Sequence, residues 1–154
     1  MILYPNCKLN IGLRVVRKRP DGYHDLETIF YPVYGLHDEL EVTLASNRPL
    51  ERRDCQFEQE GIVVDCAAED NLILKCYRLF ANEFEQIGSV DIRFVKNIPF
   101  GAGLGGGSSD AAHMAIALNE LFDLGLTKQE LAKRVSRLGA DCAFFIYNRP
   151  MLGT

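Results

Sequence analysis

Between Gly101 and Gly107 five of seven residues are glycine, and no other stretch restricts the fold of this chain so strongly. Each glycine in place of alanine leaves more chain entropy to be lost on folding, so the five together cost roughly 2–5 kcal/mol. Such a cost is tolerated where the backbone has to come closer to something than side chains allow. Ahead of the loop runs an alternating apolar segment, Val90, Ile92 and Phe94, leading through Lys96; behind it an Ala-rich helical pattern starts near Ser108. A strand, a glycine loop and a helix in direct succession present backbone N–H groups at a helix N-terminus, where anions bind, phosphate above all. A flexible linker is the plainer reading of a Gly/Ser tract. The abutting elements, and the apolar Leu104 inside the loop, argue against it.

The rest of the chain supplies strands first and helices later. Cys7 to Val16 alternates, with Cys7, Leu9, Ile11 and Leu13 on one face and Lys8, Asn10 and Gly12 on the other, and reads as a strand. A Pro20-Asp21-Gly22 turn separates it from an extended segment, His24 to Tyr34, and Glu39 to Leu44 alternates strictly as a half-buried strand. Edge strands are expected at Cys55 to Glu58 and at Ile62 to Asp65. From Asp70, taken as N-cap, apolar residues recur at helical spacing from Leu72 to Ile87. Past the loop, Ala111, Ala115, Leu118 and Phe122 form one helical stripe. Thr127 and Glu130 make a capping box for a helix closed by Gly139. An apolar patch, Cys142 to Tyr147, and a strand-like Met151 to Thr154 follow. This order predicts an α+β fold, a mixed or antiparallel sheet with helices packed on one side.

At 154 residues the chain fits one domain, and its net charge of −4 argues against a nucleic-acid partner. No apolar run reaches membrane-spanning length. The five cysteines lack metal-ligand spacing and are read as reduced thiols, and the chain reads as cytoplasmic.

Gly101, Gly103 and Gly106 satisfy G-x-G-x-x-G formally, but the second parallel strand and ribose-binding acid of a dinucleotide site do not follow. The Walker pattern fails because Gly107 or Ser108 stands where its lysine belongs. The pattern of a protein-kinase catalytic loop is missing too. A phosphate loop of another kind remains, holding its ligand with backbone N–H groups, the Ser108 and Ser109 hydroxyls and the helix dipole.

Pro99 through Ala112 resembles the second motif of the superfamily of galactokinase, homoserine kinase, mevalonate kinase and phosphomevalonate kinase, the GHMP kinases. The form Leu104-Gly105-Gly106-Gly107-Ser108-Ser109 is similar to that of the branch acting on a cytidine-diphosphate polyol, the 4-diphosphocytidyl-2-C-methyl-D-erythritol kinases. Lys8-Leu9-Asn10, Arg19 to His24, Asp70-Asn71-Leu72 and Leu138 to Asp141 agree with it. Cys7 and Cys142 stand where the family usually has Ala and Val.

The resemblance implies a ribosomal S5 domain 2-like fold and an ATP-dependent kinase of bacterial type in isoprenoid-precursor synthesis. It implies Lys8 and Asp141 as the catalytic pair, and Asn10, Tyr23 and His24 at the cytidylyl substrate. ATP is expected at Asn71, Leu72 and Lys96 near the adenosine, and at Pro99, Phe100, Gly101, Ala102, Gly103, Leu104, Gly105, Gly106, Gly107, Ser108 and Ser109 around the phosphates. Mg2+ is expected, with Ser108 as its ligand. A small molecule is the expected partner, without nucleic acid or membrane, and a homodimer is admitted. Residues 1–154 are expected to be the N-terminal, ATP-binding domain without the family's C-terminal domain, and inactive alone. A mevalonate or homoserine kinase is the alternative within the class, disfavoured by the Asp21-Gly22-Tyr23-His24 turn; a non-catalytic S5-like RNA-binding module is the alternative outside it.

Overall fold

The computed structural model describes residues 1–64 and 66–153. Its strands are β1 (Ile2–Leu3), β2 (Asn6–Lys18), β3 (His24–His37), β4 (Glu39–Leu44), β5 (Cys55–Gly61), β6 (Val90–Lys96) and β7 (Met151–Gly153). The helices are α1 (Leu72–Glu83), α2 (Gly106–Leu121), α3 (Lys128–Val135) and α4 (Cys142–Tyr147).

Two sheets form. One has the order β1-β4-β6-β5, with β4 antiparallel and β5 parallel to β6, so it is mixed; the other is β2-β3-β7. The period of two on β4 and β6 gives the first sheet its inner face. Leu40 and Val42 pair with Phe94 and Ile92 and are buried, while Glu41 and Arg93 point outward. Against that inner face pack Ile73, Leu74, Tyr77 and Phe80 of α1, and Met114, Ala115 and Leu118 of α2. The α+β architecture with helices on one side is as the sequence predicts. No helix among the described residues is long and apolar enough to cross a membrane.

Several local expectations are corrected. The cap of α1 is Asn71, not Asp70: its side chain accepts from the N–H groups of Ile73 and Leu74, satisfying two otherwise unpaired donors. α2 begins at Gly106, so the last glycines of the tract are already helical. α3 has the capping box of Thr127 and Glu130 but stops at Val135, well before Gly139. Residues 62–64 are not a strand, and Asp65 and Thr154, the ends of two expected strands, lie outside the described residues.

The alternation on β2 also misleads. Gly12 has a φ of +66° and the pairing with β3 slips between Ile11 and Arg14, which breaks the period. Leu9, Ile11 and Leu13 are about half exposed, at 48%, 49% and 56%, because among the described residues no second layer covers that part of the hairpin.

Candidate functional site

The glycine loop leaves β6 after Lys96 and turns into α2 at Gly105. Gly101, Gly103 and Gly105 have φ of +72°, +75° and +71°, and this left-handed setting at every second residue favours glycine. Gly105 is the N-cap of α2 and supplies no side-chain cap. The first N–H groups of a helix of 16 residues therefore open onto the cleft without a side-chain acceptor, at the positive end of its dipole. The cleft, of about 330 Å³, is lined by Pro99 to Ser108, Lys8, Leu72, Lys96 and Asp141. It adjoins a narrower apolar pocket formed by Asn71, Leu72, Ile73, Phe94 and Phe100, sharing Leu72, Lys96, Phe100 and Gly107 with it.

Lys8 and Asp141 reach this cleft from two elements. The backbone N–H of Lys8 donates to Leu104 O at 2.9 Å, fastening β2 to the loop. The Lys8 side chain is almost fully buried; its Nζ donates to Asn10 Oδ1 at 2.5 Å and stands 3.3 Å from Asp141 Oδ2. The Phe30 ring lies 5.2 Å from the ammonium, a cation–π contact. Asp141 occupies the N-cap position of α4 but makes no capping hydrogen bond; its carboxylate goes to Lys8 instead. A pair of reciprocal amide bonds, Asn6 Nδ2 to Asn148 Oδ1 at 3.1 Å and Asn148 Nδ2 to Asn6 Oδ1 at 2.7 Å, ties the start of β2 to the end of α4. It thereby holds the two elements that carry Lys8 and Asp141 together.

Lys96 follows Val90, Ile92 and Phe94 on the inner face of β6, and the same parity buries it. Its Nζ stands 2.5 Å from Asp38 Oδ2 and 3.2 Å from Asp110 Oδ2. Burial pushes the Asp110 carboxyl well above the usual carboxylate range, against the lowering pull of Lys96, and its Oδ1 has no hydrogen-bond partner among the described residues. Lys96 borders both cavities, yet its charge is already engaged. Extending the alternation of β6 by one step finds its burial; nothing local marks Asp38 or Asp110 as its partners.

Other expected residues fall elsewhere. Ser109 is fully buried, its hydroxyl 3.4 Å from His113 Nδ1; it turns away from the cleft, which only Ser108 of the two serines lines. Asn71 borders the apolar pocket while its Oδ1 caps α1. Tyr23 and His24 are exposed at the tip of the β2–β3 hairpin, where His24 pairs with Lys18, far along β2 from the Lys8–Pro32 pair. The structure brings Lys8, Asn10, Asp141 and the glycine loop together and leaves these two outside that cluster. All five cysteines are free, and burial pushes the thiol of Cys142, beside Asp141, up and away from reactivity.

Known proteins resemble this chain in sequence and in fold. A protein of Bacteroides fragilis named 4-diphosphocytidyl-2-C-methyl-D-erythritol kinase is 49% identical over 97% of this chain and 53% of its own length. One of the same name from Parabacteroides distasonis is 47% identical over 100% of this chain and 54% of its own. The chain thus spans about half the length of the curated relatives it matches. A crystal structure of 4-(cytidine 5'-diphospho)-2C-methyl-D-erythritol kinase superposes with a TM-score of 0.80 at 35% identity, over 99% of this chain and 52% of that one. Mevalonate pyrophosphate decarboxylase from Streptococcus pyogenes, at 17% identity and a TM-score of 0.65, shares the fold. The family described as the GHMP kinases N terminal domain matches residues 71–149, from the cap of α1 through the glycine loop to the end of α4. With that family covering half of the chain, the chain belongs to the GHMP kinases through their N-terminal domain.

Proposed function

We propose that the chain is the nucleotide-binding part of a small-molecule kinase that transfers the γ-phosphate of ATP to a hydroxyl of 4-(cytidine 5'-diphospho)-2-C-methyl-D-erythritol, in the non-mevalonate route to isoprenoid precursors. The observation that carries this reading is that the Lys8–Asp141 pair and the uncapped N-terminus of α2 open into one cleft. Phosphoryl transfer asks for little else: a cradle for the phosphates and an oriented acceptor hydroxyl. The names of the relatives supply the choice of substrate.

In this reading the loop N–H groups and the Ser108 hydroxyl hold the phosphates, and the pocket of Leu72, Phe94 and Phe100 takes the adenosine. Asp141 receives the hydrogen bond of the acceptor hydroxyl and aims its oxygen at the γ-phosphorus. Lys8, kept straight by Asn10 and Phe30, balances the charge on the transferring group. The pair acts chiefly by orientation, and the proton leaves late in a loose transition state. Asn10 meets the polyol, and Tyr23 and His24 take the cytidine end, the ring stacking on the base. That role requires the hairpin to bring its tip toward the loop, and the register shifts after Ile11 and Val15 are where it can bend.

Were magnesium bound beside the nucleotide phosphates, Ser108, half-buried at the first turn of α2, would be the protein oxygen offered to it. A hydroxyl beside the phosphates suits an ion that keeps most of its ligands as phosphate oxygens and water. When bound, the ion would neutralise negative charge on the nucleotide phosphates.

The test is transfer of labelled γ-phosphate from ATP to the cytidylyl polyol by the full-length protein. Incorporation that is abolished in Lys8→Met is expected; no incorporation by the folded wild type would overturn the proposal.

A further inference from the structure

Asp38 takes no part in the mechanism above, and in the sequence it is one acid in a turn. In the structure it has no exposed surface, and its carboxylate and backbone N–H go to segments that shape the site. Oδ1 accepts from the N–H groups of Asn97 at 2.6 Å and Ile98 at 2.8 Å, the two residues with which the glycine loop leaves β6. Oδ2 meets Lys96 Nζ at 2.5 Å, and Lys96 reaches Asp110 in the second turn of α2, beyond the loop. The N–H of Asp38 donates to Pro5 O at 2.8 Å, just ahead of the strand that carries Lys8.

A loop with five glycines cannot hold its own shape, so its order has to come from bonds to the rest of the fold. One, inside the loop, is the bond from Lys8 N–H to Leu104 O. At its two ends, bonds converge on one carboxylate. We propose that Asp38 is a positioning residue for the nucleotide site: it clamps the departing end of the glycine loop directly, the returning end through Lys96 and Asp110, and the lead into the Lys8 strand through Pro5. This inference rests on the reading of the loop as the grip on ATP. The cluster is packed tightly: a Cβ on Gly106 would lie 2.8 Å from Lys96 Nζ and 3.0 Å from Ile98 Cγ2. Lys96, expected at the adenosine, is on this account a strut of the loop.

The experiment measures the Kd of ATP, the KM of the cytidylyl polyol and the thermal midpoint in the full-length protein, for wild type, Asp38→Asn, Lys96→Met and the double variant. All are compared at a temperature where circular dichroism shows every variant folded. Asp38→Asn leaves the buried Lys96 with Asp110 alone, and Lys96→Met leaves Asp38 and Asp110 without their cation. Each is expected to weaken ATP binding about tenfold or more while the KM of the polyol stays put. The double variant, with no charge stranded between these two positions, is expected to recover part of the loss. Should Asp38→Asn not fold, Asp110→Asn tests the far side of the clamp, with weaker ATP binding again expected. A lowered midpoint with unchanged ATP affinity in these variants would overturn the proposal, as would equal losses for ATP and polyol. Failure of the wild type to bind ATP would instead overturn the reading of the loop, and this inference with it.

Discussion

Lys8 Nζ stands 3.3 Å from Asp141 Oδ2, a nearly buried ammonium against a carboxylate that is about one-third exposed and faces the cleft. The pair spans β2 and α4, and its open side is where an acceptor hydroxyl would sit. In the full-length protein Asp141→Ala is expected to lower kcat about 10²-fold or more. Asp141→Asn, which keeps an oxygen in place, is expected to lose distinctly less. Steady-state rates at saturating ATP decide: an Asn variant no better than Ala contradicts an orienting role.

The glycines of the loop are not equivalent. A Cβ on Gly105 would lie 3.0 Å from Phe145 Cζ and 3.1 Å from both Lys8 Cε and Lys8 Cγ, at a φ of +71°. One on Gly107 would meet only Leu72 Cδ1, at 3.5 Å. Gly105→Ala is therefore expected to cost stability by at least the 1–2 kcal/mol or so of left-handed strain and to displace Lys8. Gly107→Ala is expected to stay within about 0.5 kcal/mol. Urea melts and kcat on the two variants check the order, which equal effects would contradict.

Tyr23 is 73% exposed, so its removal is expected to leave stability within about 0.5 kcal/mol. If it stacks on the cytosine, Tyr23→Ala raises the KM of the cytidylyl substrate about tenfold, one lost stacked ring being worth about 1–3 kcal/mol. The KM of ATP is expected not to move. A change in ATP KM alone would contradict the assignment.

Burial lowers the pKa of His113 from its ordinary 6.5, partly offset by its hydrogen bond to Ser109 O. The folded state therefore holds the ring neutral where the unfolded chain has taken up a proton. Stability from this group is complete above pH 6.5 and falls as pH drops from there through the folded-state value. Each unit of lowering is worth about 1.4 kcal/mol. Urea melts at successive pH values are expected to show that slope, and His113→Leu is expected to flatten it. An unchanged slope in the variant would contradict the assignment.

Much of this was legible because it is encoded locally. Glycines at alternate positions between a strand and a helix call for left-handed backbone, and Gly101, Gly103 and Gly105 adopt it. Thr127 and Glu130 cap α3 through contacts only three residues apart. What escaped depends on partners distant in sequence. The β2 alternation marks an apolar face but cannot say whether a layer covers it. Asp38 gains its role from Lys96, Asn97 and Ile98, about 60 residues away. The serine pair reads as two equal ligands, yet helical geometry sends Ser108 to the cleft and Ser109 into the core. Tyr23 and His24 belong to a sequence motif, and a motif carries no information about how far a hairpin tip lies from Lys8.

The central claim is tested most directly by ADP release from the full-length protein with ATP and magnesium, offering the cytidylyl polyol, mevalonate and homoserine in turn. The account predicts release with the cytidylyl polyol and background with the other two. Turnover of mevalonate or homoserine, with none of the cytidylyl polyol, would contradict it.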